Sequence, residues 1–214
     1  ALGGLIYYRT LEPYDILKSG SSFNAEIPFN YFSEDDGRAI SNKMSLKLSN
    51  NLSALFVYTN EASKATRTAA PSKYIDEVQN LGSNIMTNIQ YDINDESSLN
   101  VIIESINRSS RVNASEANLK SMSSTFTNYK KLVSNTLTDR TRVSAKLSYD
   151  SADNFGLIRK ARSTIYWQDA QKNDNFRRVV EGIDLIKEED KIYSLTNRLI
   201  GFNSEFLSNI NLFE

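Results

Sequence analysis

Two clusters of carboxylates are the first residues of this chain that could do chemistry, Asp35-Asp36 and Glu188-Glu189-Asp190. Paired carboxylates can divide the roles of general acid and general base when their surroundings push their proton affinities apart. That work needs a further base or a metal ligand at fixed spacing. The 214 residues include no His and no Cys. The commonest general base and metal ligand is therefore missing, and so is any thiolate site or disulfide framework. Both clusters fall in stretches that read as loops. They are expected to be solvated charge, the chain is not expected to be an enzyme, and no metal or cofactor is expected.

Two other sets point to binding. Arg108, Arg111, Tyr129, Lys130, Phe176, Arg177 and Arg178 lie in polar stretches expected to be long loops. Arginine and aromatic residues are the usual anchors of binding hot spots, so these seven are expected to contact a ligand. Arg140, Arg142, Lys146, Lys160 and Arg162 alternate with apolar residues instead. Two readings stay open for them: contact with an acidic segment or anionic ligand, or ordinary polarity paired with Asp and Glu across a sheet. The overall charge is balanced, 25 Lys and Arg against 26 Asp and Glu, which gives no footprint for nucleic acid.

The elements that position these residues repeat with period two, the signature of strands. In Ser22 to Ser33 the odd positions are Phe23, Ala25, Ile27, Phe29 and Tyr31. Glu34-Asp35-Asp36-Gly37 is a turn. A second strand places Ile40, Met44, Leu46 and Leu48 opposite Ser41, Lys43, Ser45 and Lys47, and Asn50-Asn51 is a tight connection. Leu52, Ala54, Phe56 and Tyr58 mark a third, with Ser53 on the face that should accept charge. Further strands are expected around Ile85–Tyr91, Leu99–Ile106, Thr141–Tyr149, Leu157–Trp167 and Tyr193–Phe206. Long loops are expected at Thr59–Asn80, Arg108–Leu137 and Gln168–Lys191, with a short helix at Glu116–Met122. Short connections fall at Asn94–Ser97 and Asp150–Gly156.

Strands of this length approach the roughly 9–11 residues a tilted strand needs to cross a bilayer. Alternation of short and long connections is the habit of outer-membrane barrels. The expected fold is all-β, an antiparallel meander of about eight strands forming part of a large transmembrane barrel. Phe23, Ile27, Phe29, Leu46, Leu48, Ala54 and Phe56 would then face lipid, and Arg140, Arg142, Lys146, Lys160 and Arg162 the lumen. Tyr31, Tyr58, Tyr91, Tyr149, Tyr166 and Trp167 would fall near the interfaces, as an aromatic girdle does. Zero cysteine fits an exported bacterial protein. Two other architectures stay open, a soluble β-sandwich serving as a binding or adhesion module and a complete eight-stranded outer-membrane barrel.

"ALGGLIYYRTLEPYDILKSGSSFNAEI" resembles the plug-to-barrel junction of TonB-dependent outer-membrane receptors, and is most similar to their haem and haemoglobin branch. Gly3-Gly4, the strand Leu5–Thr10, Asp15-Ile16-Leu17 and the strand from Phe23 follow that order. "RVSAKLSYDSADNFGLIRKARSTIYWQDAQKNDN" and "TNRLIGFNSEF" resemble strands of the same barrel. The resemblance implies a piece of a longer receptor, with 1–20 as the end of the plug and its linker and 21–214 as the first part of the barrel. It implies a bacterial outer-membrane location in contact with lipid. It implies uptake of haem, haemoglobin-borne haem or an iron-siderophore complex, energised by TonB through other parts of the receptor. Haem binding by this segment alone is expected to be weak or absent, because it has no His to coordinate the iron, with Tyr74 or Tyr129 as the exception to watch.

Overall fold

The computed structural model describes residues 10–64, 76–124, 128–151, 158–182 and 186–208. A four-residue helix, α1 (Pro13–Ile16), comes first. The strands β1 (Phe23–Glu26), β2 (Phe29–Phe32), β3 (Gly37–Lys47), β4 (Leu52–Lys64), β5 (Glu77–Asp92) and β6 (Ser97–Asn113) follow. The helix α2 (Glu116–Met122) then precedes β7 (Asn128–Asp150), β8 (Lys160–Glu181) and β9 (Ile186–Leu207). All nine strands form one antiparallel sheet in the order β1-β3-β4-β5-β6-β7-β8-β9, with β2 also paired to β3. It is an open meander. β1 and β2 stand at one edge and β9 at the other, with no ladder joining them among the described residues. The described sheet is thus not the small closed barrel.

The expected first strand is broken at Ile27-Pro28, yet its register on β3 is the same on both sides of the break. Pro28 still accepts a hydrogen bond from Ser41 N–H through its carbonyl, at 3.0 Å. It has no N–H to return, which is why proline belongs on an edge strand. The turn that follows needs Asp36 at a positive φ of 49°, a conformation that Asp tolerates better than most residues.

The expected long loops are largely strand. β4 runs on to Lys64 and β5 begins at Glu77, which takes both ends from the loop expected at Thr59–Asn80. β6 extends to Asn113 and β7 starts at Asn128, leaving a connection that carries α2 where a short helix was expected. Gln168–Lys191 is almost entirely strand, from β8 and β9. The turn expected at Asp150–Gly156 falls mostly outside the described residues. Strand length grows along the chain, from 11 residues in β3 to 23 in β7.

Register sorts the side chains into two unlike faces. One row crosses seven strands as Leu46, Ala54, Ile89, Val101, Ala145, Ile165 and Phe202. The next reads Met44, Phe56, Thr87, Ile103, Val143, Trp167 and Ile200. Every large apolar residue of these rows outside Val101 is exposed. Phe23, Ile27, Phe29, Leu46, Leu48 and Phe56 of the expected lipid-facing set are exposed and Ala54 is half-buried. Tyr58 and Trp167 lie at one border of this apolar band and Tyr91 at the other. Above Trp167 the same face turns polar, and Asp169 meets Arg198 at 3.5 Å.

The opposite face is polar and carries the buried residues. Ser45, Ser53, Asn88 and Asn100 are all but fully buried there, around an apolar patch of Leu55, Val57 and Met86. Ser53, expected to accept charge, has no room for it. Tyr166 is also on this face and not in a girdle, because it alternates with Ile165 and Trp167 of the apolar face, and its register partner is Gly201. A Cβ built on Gly201 would overlap the Tyr166 ring, so the glycine lets the ring lie flat on the sheet. Gly201→Val should therefore lower stability by about 1–3 kcal/mol, the usual cost of overpacking, measured by denaturant unfolding. A neutral or stabilising result, as strand propensity alone would give, would contradict this packing.

Candidate functional site

The polar face holds the N-terminal segment. Pro13 and Ile16 of α1 are buried, and Ile16 packs on Leu55, Val57 and Met86 with Leu11 and Ile102 alongside. The sheet holds the segment's backbone by its carbonyls. Asn88 Nδ2 donates to Leu11 O at 2.8 Å, Ser45 Oγ to Pro13 O at 2.9 Å and Asn24 Nδ2 to Ile16 O at 2.8 Å. Two side chains complete the attachment: Glu12 pairs with Lys146 of β7, and the Tyr14 hydroxyl donates to Asp92 at 2.7 Å. Burial, then the bond to that carboxylate and its charge, raise the Tyr14 hydroxyl above its ordinary pKa. Pro13 starts the helix where its missing N–H is not needed. The Asp15 side chain accepts from Glu12 N–H at 2.8 Å and closes the first turn.

The five cations expected to face a lumen share this polar face. Arg140 meets Glu104 at 2.6 Å, Lys160 meets Asp150 at 2.6 Å and Lys146 meets Glu12. The Arg142 guanidinium lies over the Tyr166 ring, 4.5 Å from its centroid. A cavity of about 400 Å³ opens beside Glu12, bounded by Glu104, Arg142, Lys146 and Arg162 among others. Lys146 thus meets a carboxylate of the N-terminal segment, and Arg140 and Lys160 meet carboxylates of the sheet.

The seven residues expected in loops are all in strands. Arg108 and Arg111 lie in β6, Tyr129 and Lys130 in β7, and Phe176, Arg177 and Arg178 in β8. Beyond the apolar band both faces of a strand meet water, so alternation vanishes from the sequence while the ladder continues. Register brings three of the seven near one another on the polar face. Arg178 pairs with Glu189 and stands over the Tyr129 ring, and Phe176 packs edge-to-face on Tyr193 at 5.8 Å. Arg177 is on the other face with Glu188, Lys130 pairs with Glu181 at 3.0 Å, and Arg108 crosses Gly82 to reach Glu61 at 3.2 Å. These cations are already neutralised. So are the carboxylate clusters, with Glu188 and Glu189 in strand ion pairs and Asp36 facing Lys64 at 3.6 Å. Among the described residues no group of three or more carboxylates could hold a metal ion. Tyr74 lies outside the described residues.

Sequence reasoning missed Asn24, Ser45, Asn88 and Glu12, the residues that fasten the segment. One signal was available. Leu52–Tyr58 is apolar at every position except Ser53, so Leu55 and Val57 put apolar surface on a face that is otherwise polar. Such a patch needs a cover. At the far end of the sheet, Asp76 accepts hydrogen bonds from Ser115 N–H at 2.6 Å and Asn118 Nδ2 at 2.8 Å, which tie α2 to the start of β5. Burial pushes the Asp76 carboxyl up, but these bonds outweigh it and hold its pKa below the ordinary value.

The crystal structure of BauA, the ferric preacinetobactin receptor from Acinetobacter baumannii, is similar to this chain at a TM-score of 0.50 and 12% sequence identity. The match covers 91% of this chain and 36% of that one, so the chain spans about a third of the structure it resembles. At that identity the likeness is one of fold. No family model and no curated protein matches the chain.

Ile16→Ala should cost about 2–4 kcal/mol for the lost methylenes and the cavity they leave, and Asn88→Ala about 1–3 kcal/mol for an orphaned carbonyl. Limited proteolysis should then cut near residues 10–20 while the strands resist. Unchanged protection there would show that the segment is not held by these contacts. The hydrogen bonds that attach Asp76 to α2 also lower its pKa. Its stabilisation is present above the unfolded-state pKa and is lost as pH falls through the lower folded value. Exchange protection of the Asn118 amide should therefore persist at pH 4, and Asp76→Asn should remove the pH dependence.

Proposed function

We propose that this chain is part of an outer-membrane receptor that takes up an iron chelate, with 1–20 as the end of its plug and linker and 21–214 as the first part of its barrel. Energy would come from TonB, through contacts made elsewhere in the receptor. One observation carries this reading: the sheet is inside out for a protein in water. Its polar face is the covered one, and its apolar face is a continuous exposed band. Each large apolar side chain left in water forgoes about 1.5–3 kcal/mol of burial, and soluble monomers rarely expose such patches beyond a few hundred Å². A bilayer removes that cost. The outward apolar stretches from Ile40 in β3 to Leu48 just past its end, and from Leu81 to Tyr91 in β5, have the length a tilted strand needs to span it, about 9–11 residues.

The rival, a soluble β-sandwich, has a second sheet on the apolar face, and the described residues form one sheet. Between cargo classes, a ferric chelate suits the chain better than haem. The neighbour of similar fold is a ferric receptor, this chain has no His, and Tyr129 is engaged with Arg178.

Ile165 and Thr164 are adjacent and face opposite sides. Ile165 is 56% exposed, so in a water-soluble protein Ile165→Arg should cost within about 0.5 kcal/mol. On a lipid face near the midplane the same change costs roughly 2–4 kcal/mol. We expect Ile165→Arg to impair assembly in membranes and Thr164→Arg to be mild, as read by the folded fraction in lipid bilayers. Single cysteines at Leu46 and Phe56 should be quenched by lipid-borne probes. If they are shielded from water yet untouched by those probes, the apolar face packs on protein and the membrane reading fails.

A further inference from the structure

Four carboxylates and four cations border the cavity on the polar face, and Glu205 stands opposite Arg162 in the ladder. Lys146 takes Glu12 and Lys160 takes Asp150. Glu104 stands opposite Arg142 in the ladder but turns to Arg140, at 2.6 Å. Arg142 is left over. Among the described residues it has no carboxylate partner, and its Nε is buried without a hydrogen-bond acceptor. A buried donor without an acceptor is unfavourable unless something else meets it.

The side chain is also held in place. Tyr166 lies beneath the guanidinium, and the ring can lie there only because Gly201 has no side chain. Desolvated cation–π contacts of this kind are attractive and leave the edge of the guanidinium free for hydrogen bonds. Its planar fork matches a carboxylate with two parallel bonds. The cavity beside it, about 400 Å³, has room for a small organic acid.

We propose that this cavity is a carboxylate-binding site, with Arg142 as the recognising residue and Tyr166 and Gly201 as its positioning residues. The site rests on this geometry, and only the use of lipid nanodiscs in its test rests on the membrane part of the receptor reading. A carboxylate here would be held by Arg142 next to Lys146, and so next to the contact that fastens Glu12. Such a ligand is placed to compete with Glu12 of the N-terminal segment for Lys146.

The test is a titration of the protein in lipid nanodiscs with benzoate, followed by calorimetry and by the Arg side-chain Nε–H resonances. Saturable binding is expected, with one such resonance moving. Benzamide has the same shape without the charge and should not bind. Arg142→Gln should weaken binding about tenfold or more, the worth of one charge-assisted contact. Arg142→Lys keeps the charge but loses the fork and should fall between the two, which keeps the test readable if Arg142→Gln does not fold. Tyr166→Leu should weaken binding and Tyr166→Phe restore it, whereas Lys172→Gln, remote on the same face, should bind as the parent does. Equal binding of benzamide, equal binding by Arg142→Gln, or no saturable binding would each overturn the site. Failure of iron uptake with benzoate binding intact would count against the receptor reading alone.

Discussion

The backbone groups of nine strands find their partners in one continuous antiparallel ladder, and every other feature of the molecule hangs on its register. The side-chain period is two, so a slip of one residue would exchange the faces of a whole strand. The row from Leu46 to Phe202 would turn to the polar side, and Asn88 and Ser45 would lose the carbonyls they hold. Two unlike faces therefore enforce a single register. Where both faces become polar, beyond the apolar band, that pressure weakens. Ion pairs between β8 and β9 take its place, as Arg177 with Glu188 and Arg178 with Glu189. Each exposed pair adds little by itself, but opposite charges in register also disfavour a slip.

The energetics of the two faces explain why the N-terminal segment sits where it does. Leu55, Val57 and Met86 are apolar residues on a polar wall and need a cover. Ile16 and Leu11 supply it. The cover must also satisfy its own peptide groups, and the wall does so with neutral side chains, the amides of Asn24 and Asn88 and the hydroxyl of Ser45. Because these donors meet backbone carbonyls, the position of α1 depends on chain geometry more than on its side-chain identities. The Glu12–Lys146 pair adds direction: it fixes which part of the wall the segment approaches, and so which side of it the cavity opens on.

Glycine has a specific use at two points of the polar face. At Gly82 the missing Cβ lets Glu61 cross to Arg108 two strands away. At Gly201 it lets Tyr166 lie down and hold Arg142. In both cases a long side chain from the neighbouring strand occupies the space above the glycine, so the gap in the wall is filled.

The sequence by itself determined the strand-rich class, the antiparallel meander, the assignment of Phe23, Leu46 and Phe56 to an exposed apolar face, and the helix at Glu116–Met122. Period-two hydropathy and turn residues are local, and they survive in a single string. Tertiary structure alone decided how far the strands run. Gln168–Lys191 lacks alternation because water bathes both its faces, and hydropathy cannot tell a solvated strand from a loop. Only the ladder between β8 and β9 makes the difference. It also decided which residues meet. Glu12 and Lys146 are 134 positions apart and Leu11 and Asn88 are 77 apart, contacts that no spacing rule reaches. And it decided that Ser53 is covered and that Arg142 has no carboxylate partner among the described residues, since both depend on what the neighbouring strands and the docked segment take up.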